Sequence, residues 1–205
     1  MNLQEKFTEL CFLYTKDRNL VEGLWLEIEK KYSGKGRHYH NLFHLECMFL
    51  ELESVKSPIE DDHTVSFSVF YHDVIYDATS KSNEEKSASF AVERLQKMEL
   101  NPDTISKVEY QILATKSHRK SDDTDTNYLL DADLSILGKE PDVYFDYTRK
   151  IRKEYALYPD ILYKPGRKKV LKHFLELESI FKTENFRDRY EEQARENLAA
   201  ELKLL

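Results

Sequence analysis

Val65-Ser66-Phe67-Ser68-Val69-Phe70-Tyr71-His72-Asp73-Val74-Ile75-Tyr76 is the stretch whose reading decides the fold. Its first five residues alternate apolar and polar with period two, the pattern of a buried strand. A lone strand would find no partner elsewhere in this chain, so the stretch reads as helix and the fold class as all-α. The same run carries chemistry. An imidazole and a carboxylate stand side by side where their neighbours demand burial. An ionised Asp73 in that place needs a cation, a strong hydrogen-bond donor or a metal.

Outward from this run, the five glycines and five prolines fall at the edges of periodic segments, which is helix punctuation. Residues 3–31 read as one or two amphipathic helices. Tyr39 to about Val55 reads as a helix apolar round most of its circumference, hence a central one. On it, His40 and His44 share a face four residues apart, with Cys47 nearby. Pro58 to Asp62 is a polar connection. Ser82-Asn-Glu-Glu85 has capping-box spacing before a helix running to about Leu100. Asn101-Pro102 gives an N-cap and a first-turn proline to the next helix, which ends near Lys116-Ser117-His118.

Ser121 to Thr126 reads as a polar loop with the composition of a lid. Asn127 to Leu137 is a short helix that carries Asp131 and Asp133 and stops at Gly138. Pro141 opens a helix through Tyr158, which Pro159 ends. Two more are expected, from about Pro165 to Phe181 and from about Asn185 to Leu205. The expectation is a single all-α domain over residues 1–205, a helical bundle of about eight helices.

Composition narrows the function. With 31 basic and 38 acidic residues the net charge is −7, which argues against general nucleic-acid or membrane-surface binding. No apolar run approaches membrane-spanning length, and the start of the chain lacks the basic and apolar regions of a signal peptide. Cys11 and Cys47 sit in apolar surroundings without a CxxC spacing, as in a reduced, cytoplasmic protein. The 13 Tyr and 11 Phe fit a homodimer face and an aromatic core equally.

His44, His72, Asp73 and Asp133 form the candidate constellation. Mixed imidazole and carboxylate suit a divalent ion such as Mn²⁺, Fe²⁺, Co²⁺, Ni²⁺ or Mg²⁺. Such a set leaves coordination positions open for water and substrate. In the competing account each His is a satisfied core residue, and each Asp is a helix cap or a partner for Arg. Spacing alone leaves both accounts open. There is no Gly-rich phosphate loop, no GxSxG elbow and no Cys-His arrangement for covalent chemistry.

Taken in order, Gly36-Arg-His-Tyr-His40-Asn-Leu-Phe-His44, Phe70-Tyr-His72-Asp73 and Asp131-Ala-Asp133-Leu-Ser-Ile-Leu-Gly138 resemble the motifs of the HD-domain superfamily of metal-dependent phosphohydrolases. The likeness is closest to one subfamily of predicted HD phosphohydrolases. It shares Tyr76-Asp77, Asn83-Glu84-x-x-Ser87-Ala88, Ala114-Thr115-Lys116-x-His118, Ile151-Arg152-x-Glu154-Tyr155 and Gly166-Arg167. The resemblance covers roughly residues 36–204. It implies an HD-like helical fold that holds one or two divalent ions and hydrolyses a small phosphorylated metabolite or nucleotide.

The resemblance also implies His44, His72, Asp73 and Asp133 as metal ligands, with His40 in a supporting, substrate-side role. Either of His40 and His44 is placed to ligate if both lie on one helix, and Asp131 poses the same question against Asp133. Asp77, Glu84 and His118 follow as general acid/base candidates, with His118 also a ligand candidate for a second ion; each also has a plain reading as a turn, cap or helix-end residue. Lys116, Arg149, Arg152 and Arg167 are candidates for phosphate contact, set against the solvated faces most helix charges occupy. His38, His63 and His173 have no supporting context and read as surface residues. A sensor that binds metal or nucleotide without turnover, and a helical interaction module, are the alternatives from other classes.

Overall fold

The computed structural model describes residues 1–55 and 58–205. Among the described residues there are ten α-helices and no strand. The elements are α1 (Leu3–Phe12), α2 (Arg18–Tyr32), α3 (Leu42–Ser54), α4 (Asp62–Tyr71), α5 (Asn83–Lys97), α6 (Pro102–Ala114), α7 (Thr124–Leu134), α8 (Pro141–Glu154), α9 (Asp160–Glu176) and α10 (Glu184–Leu204). A 3-10 turn, Ser135–Gly138, follows α7. All-α is therefore the fold class, with ten helices rather than about eight.

The decisive stretch is helix α4, and its packing explains the misleading alternation. Every residue from Thr64 to Tyr71 is buried, the serines included. The Ser68 hydroxyl donates to the Thr64 carbonyl at 3.1 Å and to Gln111 Oε1 at 2.6 Å. Such back-bonding lets a small polar residue sit inside a helix with its hydrogen-bonding satisfied. Serine here is a close-packing residue, not a solvent face. Accordingly α4 lies against α3, α5, α6 and α7 at the middle of the bundle. Phe67, Phe70 and Tyr71 join Phe7 and Phe49 in the core.

Other boundaries moved for local reasons. Helix α3 starts at Leu42, because the Asn41 side chain accepts from the Phe43 N–H and caps it. That leaves His40 in the approach segment, ahead of the helix. Helix α3 is also less enclosed than its sequence implied: Phe43 and Leu50 are 63% and 56% exposed. Ser82 occupies the N-cap of α5 but makes no capping bond; its N–H donates to Ser80 Oγ at 3.2 Å. Asn101 does cap α6, by accepting from the Asp103 N–H at 2.8 Å.

The second half of the expected polar lid, Thr124 to Thr126, is the start of α7. Asp123 caps α7, and Asp125 is buried, accepting from the N–H groups of Glu60 and Asp61 and from Lys107 Nζ. Helix α9 begins at Asp160, with Pro165 inside it rather than at its start.

Gly138 ends the turn after α7 directly beneath α10. A Cβ added there would lie 2.5 Å from Tyr190 Cβ and 2.6 Å from the Tyr190 carbonyl oxygen. A backbone oxygen cannot swing aside, so Gly138→Ala is expected to cost about 3 kcal/mol, the upper end for overpacking. Urea unfolding checks this; an unchanged midpoint would mean that α10 does not approach the turn this closely.

Candidate metal centre

Three helix ends and one turn build the site. His44 lies in the first turn of α3, His72 is the C-cap of α4, and Asp133 is in the last turn of α7. Their ligand-capable atoms all lie within 4.8 Å of one another. His44 Nε2 is 3.3 Å from His72 Nε2 and 3.2 Å from Asp133 Oδ1, and His72 Nε2 is 3.8 Å from Asp133 Oδ1. The C-terminal ends of α4 and α7 point their carbonyl dipoles here, which favours positive charge. These three residues can hold a metal ion.

Asp73 adjoins this set through His72. Its Oδ2 is 3.3 Å from His72 Nε2 and 3.9 Å from His40 Nε2. His118 Nε2 lies 2.8 Å from Asp133 Oδ2. His118 reaches it from a left-handed backbone conformation, φ 48°, in the turn after α6. That is an uncommon conformation for a residue other than glycine, and it costs energy.

The surroundings orient these rings. His72 Nδ1 donates to the Val69 carbonyl at 2.9 Å, which aims Nε2 into the cluster. Burial pushes the His72 imidazolium down, but Asp73 and Asp133 outweigh it and raise its pKa to about 9. Burial pushes His44 below its ordinary value against the pull of Asp133, so that its lone pair is available. Burial likewise works to raise Asp133, yet the His118 and His44 bonds hold it well below the carboxylate range. A divalent ion bound here would take the place of the proton on His72. Two imidazoles and a carboxylate are a donor set that suits such an ion.

Of the two pairs that the sequence left open, His44 and Asp133 fall in the three-residue group, and Asp131 and His40 have other partners. Asp131 is wholly buried on the other side of α7. It accepts from the N–H groups of Lys182 and Thr183 at 2.8 and 2.7 Å and from the Thr183 hydroxyl at 2.8 Å. Thr183 is the N-cap of α10, so Asp131 ties α7 to that helix. His40 is held by Glu154, whose Oε2 is 2.6 Å from His40 Nδ1 and whose Oε1 accepts from the N–H groups of Tyr39 and His40. Burial alone would lower the His40 pKa; Asp73 and Glu154 outweigh it and raise it.

Three supporting contacts were not assigned from sequence. Arg37 donates to the carbonyls of His40, Asp73 and Val74, joining the segment before α3 to the end of α4. Ser87 Oγ bonds both the N–H and the carbonyl of Ile75, and the Asn83 amide does the same for Asp77. These side chains fix the strand of chain leaving the His72–Asp73 pair. Arg37, Glu154, Asn83 and Ser87 all stand inside the quoted motifs; no periodicity marks their roles.

Asp133, His118 and His40 line a cavity of about 540 Å³, together with Glu84, Lys116 and Arg167. Asp77 is exposed instead, and its Oδ1 accepts from the Thr79 N–H and hydroxyl. Lys116 is ion-paired with Glu85 and donates to the Lys81 carbonyl. Arg152 directs its donors to the carbonyls of Tyr155 and Tyr158 and to Asp160, closing the end of α8. Arg149 pairs with Asp146 on the surface, and His38, His63 and His173 are exposed. Cys11 and Cys47 are free thiols. No helix is long and apolar enough to cross a membrane among the described residues.

No family model, curated protein or solved structure matches this chain.

Proposed function

We propose that this protein is a metal-dependent phosphohydrolase of the HD-domain kind, acting on a small phosphorylated metabolite or nucleotide. One observation carries the reading: His44, His72 and Asp133, drawn from three helices, converge beside a cavity large enough for a small molecule. A divalent ion held there would supply Lewis-acid chemistry, acidifying water and polarising a phosphoryl group. His72 and His44 present their Nε2 atoms to that ion, and Asp133 presents Oδ1. Asp73 borders the set and keeps His72 and His40 in place electrostatically.

Of the proton-transfer candidates, His118 and Glu84 line the cavity, so they are the two we assign to that work. His40, held by Glu154 at the cavity wall, is a donor for a phosphoryl oxygen. Lys116 lines the same space with its ammonium already paired to Glu85.

The test is metal content. The purified chain, incubated with Mn²⁺ and desalted, is expected to carry close to one ion per molecule by plasma mass spectrometry. His72→Ala, prepared identically, is expected to retain less than about a tenth of that. Equal content in the two proteins, or none in either, would leave the cluster as a self-satisfied set of ion pairs and favour a helical interaction module. A parent that binds Mn²⁺ but releases phosphate from no ester would favour a sensor.

A further inference from the structure

The cavity beside the metal centre has a composition that constrains its substrate. Its walls are ringed by tyrosines, among them Tyr39, Tyr147, Tyr155 and Tyr163, backed by Leu171 and Phe174. Tyr39 and Tyr147 meet edge to face with ring centroids 4.6 Å apart, and Tyr155 and Tyr163 lie 5.9 Å apart. Such an array favours flat rings, which gain from aromatic edge and face contacts that a short polyol such as glycerol cannot make.

Charge points the same way. Among the described residues that line the cavity, the lysine and arginine are Lys116 and Arg167, and each already has a carboxylate. Lys116 pairs with Glu85. Arg167 makes two bonds to Glu201, at 2.7 and 2.8 Å, and is buried. Glu84 and Asp133 add negative charge to the same walls. One phosphoryl group can be balanced at the metal centre and His40. The several charges of a polyphosphate would find no further free guanidinium or ammonium.

Gly166 supplies an independent clue. It lies within α9, lines the cavity, and has nothing within 4 Å of where a Cβ would stand. Glycine is the poorest helix former after proline, and here no neighbour demands it. Its effect is to leave room at the cavity wall.

We infer that the cavity takes a monophosphate ester of a flat, largely apolar ring system and rejects polyphosphates, with Gly166 setting the width available to the ring. This rests on the phosphohydrolase reading for its phosphoryl half only. Hydrolysis of such an ester consumes one water. The ring alcohol leaves with the bridging oxygen and a proton, and inorganic phosphate is released.

Two measurements separate the halves. The first is calorimetric titration of the full chain with 2-naphthol, without added metal. Saturable binding is expected, weakened about tenfold or more by Tyr163→Ala and by Gly166→Leu. Gly166→Leu is expected to melt at or above the parent temperature, so its loss of binding would not reflect unfolding. No saturable binding, or binding untouched by both variants, overturns the ring pocket. The second is kcat/KM with Mn²⁺ for 2-naphthyl phosphate, glycerol 3-phosphate and a nucleoside triphosphate. A preference of about tenfold or more for 2-naphthyl phosphate is expected; equal or better use of either competitor overturns the inference. If no ester is hydrolysed while 2-naphthol binds as expected, the phosphohydrolase reading falls and the ring pocket stands.

Discussion

Replacing Asp131 by alanine is expected to lower the unfolding free energy by about 3–5 kcal/mol. For a chain of this size that moves the thermal midpoint down by roughly 10 °C. The carboxylate is fully buried and accepts from two backbone N–H groups and a hydroxyl at the start of α10. Removing it strands those donors away from water. It also leaves the buried Lys182 ammonium, 4.0 Å away, without its nearest counter-charge. Burial already pushes that lysine's pKa down and the Asp131 carboxyl up, so both groups bear a desolvation cost that their contacts must offset. Asp131→Asn keeps an acceptor and is expected to lose less. Circular dichroism melts of the three proteins check this. A parent-like melt for Asp131→Ala would show that α7 and α10 are not joined through this residue.

Asp133→Asn, two residues away, is expected to do the opposite. The amide is isosteric and can still accept from His118, so the fold should survive, with a loss smaller than that of Asp131→Ala. Metal affinity should fall by more than about a hundredfold, since even groups behind a ligand are worth ten- to a hundredfold. Any metal-dependent ester hydrolysis should fall by about a thousandfold or more, because the ion's contribution to the barrier is several kcal/mol. Mn²⁺ titration followed by phosphate-release assays checks both. Full occupancy in Asp133→Asn with a loss in Asp131→Asn would exchange the roles assigned to the two acids.

That contrast shows what was legible in the sequence. Apolar runs and punctuation were enough for an all-helical chain, because Asn101-Pro102 and Pro141 start helices through purely local geometry. His44, His72, Asp73 and Asp133 stood out as polar residues in apolar segments, and only their resemblance to the HD motifs joined them as a set; three of the four lie within 4.8 Å of one another, with Asp73 beside them. Partners were not legible. Asp131 read as a rival ligand, a cap or a solvated carboxylate, because the N–H groups it serves lie some fifty residues later in the chain. His40 was misplaced by a single capping bond, from the Phe43 N–H to the Asn41 side chain, which moved the start of α3 past it. The serines of α4 imitated a strand because tight helix packing and a pleated sheet both favour small residues at intervals. Ser82 had the spacing of a cap and not its geometry.

The clamp of Glu154 on His40 and the bond from Asp131 to Thr183 together impose an order of assembly. Domains are made from the N-terminus onward at a few residues to some twenty per second. By the time Asp133 has been synthesised, all three converging ligands are present on the growing chain. The groups that anchor their neighbours are not: Glu154, which holds His40, is still to come, and the start of α10, which holds Asp131, later again. The nascent chain therefore holds His44, His72 and Asp133 for a period before it holds the scaffold around them. The close spacing of the three side chains, within 4.8 Å of one another, thus belongs to the completed chain alone.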